Sequence, residues 1–141
     1  MRGVTDYAIR TDLADMDLDL VHEWLSTDAY WSLGRSRAAV GTAAEHSLNI
    51  GVFTADGRQV AYARVVTDHA TFAWLCDVYV DRDHRGRGLG KRLAAAVAQL
   101  VDELGVGRTL LKTRDAHEVY AGSGFVPVPD PAGWMIRTPP V

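Results

Sequence analysis

Residues 71–104 constrain the fold more than any other part of the chain. "TFAWLCDVYV" (71–80) is rich in aromatic and β-branched residues and reads as a strand. Leu89, Leu93, Val97, Leu100 and Leu104 recur at helical spacing and mark an amphipathic helix over 89–104, with Gly105 placed to end it. Between strand and helix lies "DRDHRGRGLGKRL" (81–93), where three glycines alternate with larger residues among four arginines and a lysine. Such a corner captures anions. N–H groups at a helix start point outward, and glycines let a ligand approach closely. The helix dipole adds roughly 0.3–1 kcal/mol per exposed negative charge. Spacing excludes two nucleotide loops. A dinucleotide fingerprint starting at Gly86 needs glycine where Lys91 stands. A Walker A loop needs glycine in place of Arg85 and Ser or Thr in place of Arg92. What survives is Arg85-x-x-Gly88-x-Gly90, a corner that suits a pyrophosphate. The plainer alternative is a strand-to-helix turn with solvated arginines.

The remaining elements follow from periodicity. "YAIRT" (7–11) reads as a first strand, and Asp12 to Leu25 as a helix carrying Leu13, Met16, Leu20, Val21 and Trp24. "STDAYWSLGRS" (26–36) breaks that helix, and Arg37 to His46 forms a second. Residues 48–54 and 59–67 pair as a hairpin around Asp56-Gly57. "TLLKT" (109–113) is a buried strand, and 115–124 a short helix with a capping box at Asp115 and Glu118. "FVPV" (125–128) and "WMIRT" (134–138) supply the last strands. This order is mixed α+β, antiparallel in front and partly parallel behind.

With 141 residues, 48% of them hydrophobic and 23% charged, the expectation is one globular domain over 1–141. A net charge of −3 disfavours nucleic acid as a partner, so the basic run near position 85 is local. The single cysteine, Cys76, precludes an internal disulfide, and the five histidines have no metal spacing, so no metal is expected. Without an apolar leader or a membrane-length run, the expected setting is cytoplasmic, with no membrane partner.

The stretch Val80–Leu93 resembles the acyl-CoA loop of the GNAT superfamily of N-acetyltransferases, whose Arg/Gln-x-x-Gly-x-Gly/Ala pattern is met at Arg85, Gly88 and Gly90. "VYAGSGF" (119–125) resembles the same family's Tyr-x-x-x-Gly-Phe segment, in the expected order downstream. The resemblance implies a GNAT-like α+β fold: a mixed, mostly antiparallel sheet of six to seven strands with about four helices in three layers. It also implies acetyl transfer from acetyl-CoA, as cosubstrate, to an amine acceptor by direct attack. Arg85, Gly86, Arg87, Gly88, Leu89, Gly90 and Lys91 would cradle the pyrophosphate, and Val78, Tyr79 and Val80 would pair with pantetheine. A backbone N–H near Val78 would face the oxyanion. Exposed edge strands make a homodimer a further expectation.

Tyr120 matches the family tyrosine and is either the acid that protonates the thiolate or a packing residue over the CoA tail. Asp77 is a candidate base or substrate-orienting residue if a bulge re-aims it, and otherwise a structural aspartate. Asp68, His69 and His117 are weaker candidates, and a water chain without a base also serves. Cys76 lacks a paired histidine and reads as core, as do Phe72 and Trp74. Tyr30, Trp31 and Arg35, in the break between the first two helices, are candidate acceptor contacts, with closure of the core as the alternative for the aromatics; Arg64 either meets an acidic group on the acceptor or is paired on the sheet surface. The principal rival reading is an acyl-CoA sensor that binds without turnover.

Overall fold

The computed structural model describes residues 6–140. Both ends of the expected 1–141 domain therefore lie outside the described residues. Five strands form one sheet in sequential order. They are β1 (Tyr7–Arg10), β2 (Leu48–Thr54), β3 (Gln59–Thr67), β4 (Ala73–Val80) and β5 (Thr109–Leu111). The first four pair antiparallel, and β5 runs parallel to β4. The parallel step needs a crossover, and α3 (Leu89–Leu104) provides it. Helices α1 (Leu18–Thr27), α2 (Arg37–Glu45) and α4 (His117–Ala121) complete the fold.

Each element has a local cause. Asp17 caps α1 by accepting from the Leu20 N–H, and Ser36 caps α2 by accepting from Ala39. Gly88 and Gly105 close α3 at its two ends with φ of 77° and 76°, in the left-handed region that disfavours side chains. Leu89, Leu93, Val97 and Val101 bury one stripe of α3 against Ile50, Ala63 and Leu75 of the sheet. Each such side chain contributes about 1.5–3 kcal/mol by leaving water. The opposite sheet face receives α1 and α2, where Val21, Trp24, Leu25 and Val40 pack on Phe53, Tyr62 and Tyr79. Trp24 and Tyr79 stack with ring centroids 5.3 Å apart. Helices thus cover both faces of the sheet.

Four sequence expectations change. Among the described residues the sheet has five strands, not six to seven, because 125–128 and 134–138 form none. Pro127, Pro129 and Pro131 remove the N–H groups that a ladder needs, and a 3-10 turn follows at Pro131–Gly133. Val126, Met135 and Ile136 stand exposed as a result. The helix expected from Asp12 is split: Asp12 caps a 3-10 turn at Leu13–Asp15, and α1 starts afresh after the second cap, Asp17. The Asp115 capping box is absent, since α4 begins at His117 and has no side-chain cap. Phe72 lies at the surface outside β4, and Trp74 and Cys76 are half-buried rather than core.

One irregularity shapes everything below. Tyr62 faces Tyr79, but Arg64 faces Cys76, so Asp77 and Val78 together oppose Ala63. Asp77 has φ of 55° inside a strand. This is a β-bulge, and it bends β4. β5 pairs with β4 only from Ala73 to Leu75. Beyond that point the two chains diverge, and a trough opens between them.

Candidate active site

The trough has two halves, of about 700 and 790 Å³. Val78 and Tyr120 border both.

The first half runs along Val78, Tyr79 and Val80 to the glycine corner. Gly86 and Gly88 each have φ of 77°, and a Cβ placed on either would meet no atom within 4 Å. Their glycine character is therefore demanded by backbone conformation and leaves an open cradle at the start of α3. Gly90 serves differently: its Cβ position lies 3.4 Å from Val119, so it lets α4 sit close. Leu89 is buried and anchors the helix start. The arginine side chains do not all face the cradle. Arg85 donates through Nε to the Val80 carbonyl at 2.9 Å, reaches Asp28 at 3.3 Å and lies over the Tyr79 ring at 5.2 Å. Arg87 donates to the Tyr7 hydroxyl at 2.8 Å. Lys91 is the side-chain cation of the corner that borders this half, beside Arg85.

Sequence reasoning missed Asp28. It accepts from the Tyr79 hydroxyl at 2.6 Å and pairs with Arg82 and Arg85. The Arg82 hydrogen bond, then that of Tyr79, holds its carboxyl well below the usual range. Asp28 thereby ties the end of α1 to the corner. Only its position one residue beyond a helix could have marked it, and that is a weak signal.

The second half lies past the bulge. Asp77 is buried and accepts three hydrogen bonds: from Trp31 Nε1 at 3.0 Å, Arg35 Nη1 at 2.7 Å and Arg64 Nε at 2.9 Å. Arg64 also donates to Ser47 Oγ at 3.1 Å. Burial pushes the Asp77 carboxyl up, but the Arg64 charge and hydrogen bond, then those of Arg35, outweigh it and hold the group low. The structure thus unites Trp31, Arg35, Arg64 and Asp77 in one cluster. Of the three hydrogen bonds to Asp77, one reaches Oδ1 and two reach Oδ2.

The segment 28–36 is fixed from behind, with Ser32 Oγ donating to the Leu25 carbonyl at 2.8 Å and Gly34 N–H to Ser26 at 2.9 Å. Tyr30 is clamped from the other wall. Its hydroxyl accepts from the Arg114 N–H at 3.2 Å, and the Arg114 guanidinium lies 3.8 Å from its ring centroid. Trp74, Lys112 and Cys76 also border this half. Burial raises the Cys76 thiol to about 11, so it is a poor nucleophile at neutral pH.

Tyr120 is buried, and burial, then the nearby Tyr30, pushes its hydroxyl up to about 12. Neither Asp68 nor His69 borders the trough. Asp68 instead closes the 68–72 turn by accepting from the N–H groups of Ala70, Thr71 and Phe72. His117 is exposed on α4. Among the described residues, no cluster of three His, Cys, Asp or Glu can hold a metal, and no helix is long and apolar enough to cross a membrane.

A model of the acetyltransferase (GNAT) family matches residues 18–125, which take in both trough halves from Asp28 to Tyr120. This chain belongs to the GNAT acetyltransferase family. A proposed GNAT acetyltransferase of Xanthomonas campestris pv. campestris has a solved structure with a TM-score of 0.88 and 46% identity, covering 95% of this chain and 94% of that one. A predicted acetyltransferase of Clostridium acetobutylicum, solved with acetyl-CoA, shares the GNAT fold at a TM-score of 0.71 and 12% identity, covering 94% of this chain and 96% of that one. A proposed acetyltransferase of Gibberella zeae is 30% identical over 104 residues, 61% of this chain and 59% of the fungal protein. The chain therefore matches about three fifths of that curated relative's length.

Proposed function

We propose that this GNAT domain is an acetyl-CoA-dependent N-acetyltransferase working by direct attack in a ternary complex. The observation that carries the reading is the trough itself. An anion cradle lies at one end and a polar cluster at the other, and Val78 and Tyr120 stand at their junction.

Bound acetyl-CoA supplies an activated thioester; the remaining work falls to residues of the chain. The N–H groups from Gly86 to Lys91, with the Lys91 ammonium, take the diphosphate. Arg85 acts indirectly by bracing Val80, Tyr79 and Asp28, and Arg87 by bracing Tyr7. The edge of β4 from Val78 to Val80, left by β5 after Leu75, accommodates the pantetheine amides as an added strand would. The Val78 N–H is the proposed donor to the thioester oxygen, a placement that the adjoining bulge supports. One C–S bond breaks and one C–N bond forms. The amine gives up a proton, and the departing sulfur takes one. Tyr120 is the proposed acid, because its raised pKa keeps the phenol protonated at neutral pH. We assign Asp77 a positioning role for Arg35, Arg64 and Trp31 rather than the role of base. Tyr30 and Trp31 wall the acceptor. A homodimer is part of the proposal, supported by the exposed Met135 and Ile136 and by sheet edges at β1 and β5.

Thiol release from acetyl-CoA with a panel of primary amines tests the reading. Turnover with any amine supports it. Binding of acetyl-CoA with no release across the panel supports a sensor module instead.

A further inference from the structure

We infer that the acceptor carries an anionic group, a carboxylate or a phosphate, in addition to its amine. This inference rests on the acetyl-transfer reading above and narrows it.

The chain as a whole has a net charge of −3. The acceptor half of the trough reverses that sign. Arg35, Arg64, Lys112 and Arg114 border it, against Asp77 and Asp115 alone. Four cations against two carboxylates leave an excess of two positive charges. Asp77 is already engaged, since it accepts from Trp31, Arg35 and Arg64. Both of its oxygens are engaged and two guanidiniums face it, so an ammonium group approaching it meets like charge, and the site is a poor one for a polycationic acceptor.

The arginines, by contrast, retain donors. A guanidinium has five N–H groups. Arg35 directs one of them to Asp77, and Arg64 directs one to Asp77 and one to Ser47. Their side chains are 25% and 15% exposed, so each is held by the cluster yet open on one side. Pre-ordered guanidiniums of this kind recognise carboxylate or phosphate oxygens at little entropic cost. The Arg114 guanidinium carbon sits over the Tyr30 ring, 3.8 Å from its centroid, which holds a further cation at this half. The diphosphate of the donor has its own cradle at the other end of the trough, so these four cations are surplus to donor binding.

The same charge excess has a chemical consequence. A positive surrounding lowers the pKa of a bound amine and favours its neutral, nucleophilic form. A site whose buried carboxylate, Asp77, is engaged by two guanidiniums can therefore still present a reactive amine.

The test uses matched acceptors at saturating acetyl-CoA: β-alanine against β-alaninamide, 4-aminobutyrate against its amide, and phosphoethanolamine against ethanolamine. Rates of thiol release are corrected for the fraction of neutral amine. At least one anionic member should exceed its neutral partner in kcat/KM by about tenfold or more, and which one does so distinguishes carboxylate from phosphate. Arg64→Gln should erase that ratio. The exposed Arg114→Gln and Lys112→Gln should each reduce it and keep the test valid if Arg64→Gln does not fold. Acetyl-CoA affinity should be unchanged in all three. Neutral partners used as well as anionic ones, or a ratio that survives in every variant, would overturn the inference. If no amine is turned over, titration of β-alanine and β-alaninamide against the intrinsic fluorescence of the four tryptophans, of which Trp31 and Trp74 border this half, decides the point. Saturable quenching by the acid alone upholds anion recognition, and equal responses refute it. Failure of acetyl-CoA to bind would instead strike the acetyl-transfer reading.

Discussion

Asp77→Asn separates two accounts of the same carboxylate. In the structure Asp77 is 3% exposed by side chain and contacts two guanidiniums, at 2.7 and 2.9 Å. Asparagine keeps the shape and removes the charge. It also turns an NH2 group toward donors that need an acceptor. Removing one partner of a buried ion pair costs about 3–5 kcal/mol, because the remaining charge is left uncompensated. Arg35 and Arg64 are partly open to water, so the lower end applies, about 3 kcal/mol. For a domain of this size that is a fall in Tm of about 10 °C. The pH dependence fixes the sign. Asp77 has a folded pKa below its ordinary value, so its contribution is complete above the unfolded pKa of about 3.9 and is lost as pH falls through the folded value. The gap between wild type and variant should therefore be full at pH 7 and narrow below about pH 4. Thermal and urea unfolding followed by circular dichroism at both pH values measure it. A variant as stable as the wild type at pH 7, yet nearly inactive, would refute the reasoning and restore Asp77 as a base.

Other residues give sharper functional readouts. Tyr120→Phe should lower kcat about a hundredfold while leaving acetyl-CoA affinity unchanged, as loss of a proton donor would; unchanged kcat removes Tyr120 from the acid role. Gly88→Ala meets no neighbouring atom, so its cost is conformational, about 1–2 kcal/mol at φ of 77°. It should also weaken acetyl-CoA binding in calorimetry, whereas Gly57→Ala, at φ of 89° in the β2–β3 turn, should cost similar stability and leave binding intact. Cys76, with its thiol near 11, should react with iodoacetamide at pH 8 about a hundredfold more slowly in the folded protein than in the unfolded chain.

Much of the scaffold was legible because each signal was local. The span of α3 and its Gly105 stop came from one apolar stripe and one left-handed glycine. Strands β2 and β3 were readable as a hairpin from the Asp56-Gly57 turn signal between them. The carboxy-terminal strands were misread because "FVPV" and "WMIRT" have strand composition, while the flanking prolines deny them partners. In the site, the glycine corner was readable because its spacing reflects backbone geometry. The direction of Arg85 was not, since it depends on Asp28, 57 residues away. The bulge at Asp77 was anticipated as a way of re-aiming that side chain, but its partners were not. Arg35 and Arg64 lie 42 and 13 residues from Asp77, and no local pattern announces a contact of that separation. Lys112 and Arg114 were missed as acceptor-side residues because they follow a three-residue strand whose end only the sheet defines.

The central claim is that the cradle at Gly86–Lys91 and the edge of β4 together hold acetyl-CoA. Isothermal titration of the purified chain with acetyl-CoA tests it most directly. The account predicts one-to-one binding that saturates well below millimolar ligand and weakens in Gly88→Ala. Absence of binding heat up to millimolar acetyl-CoA would contradict it.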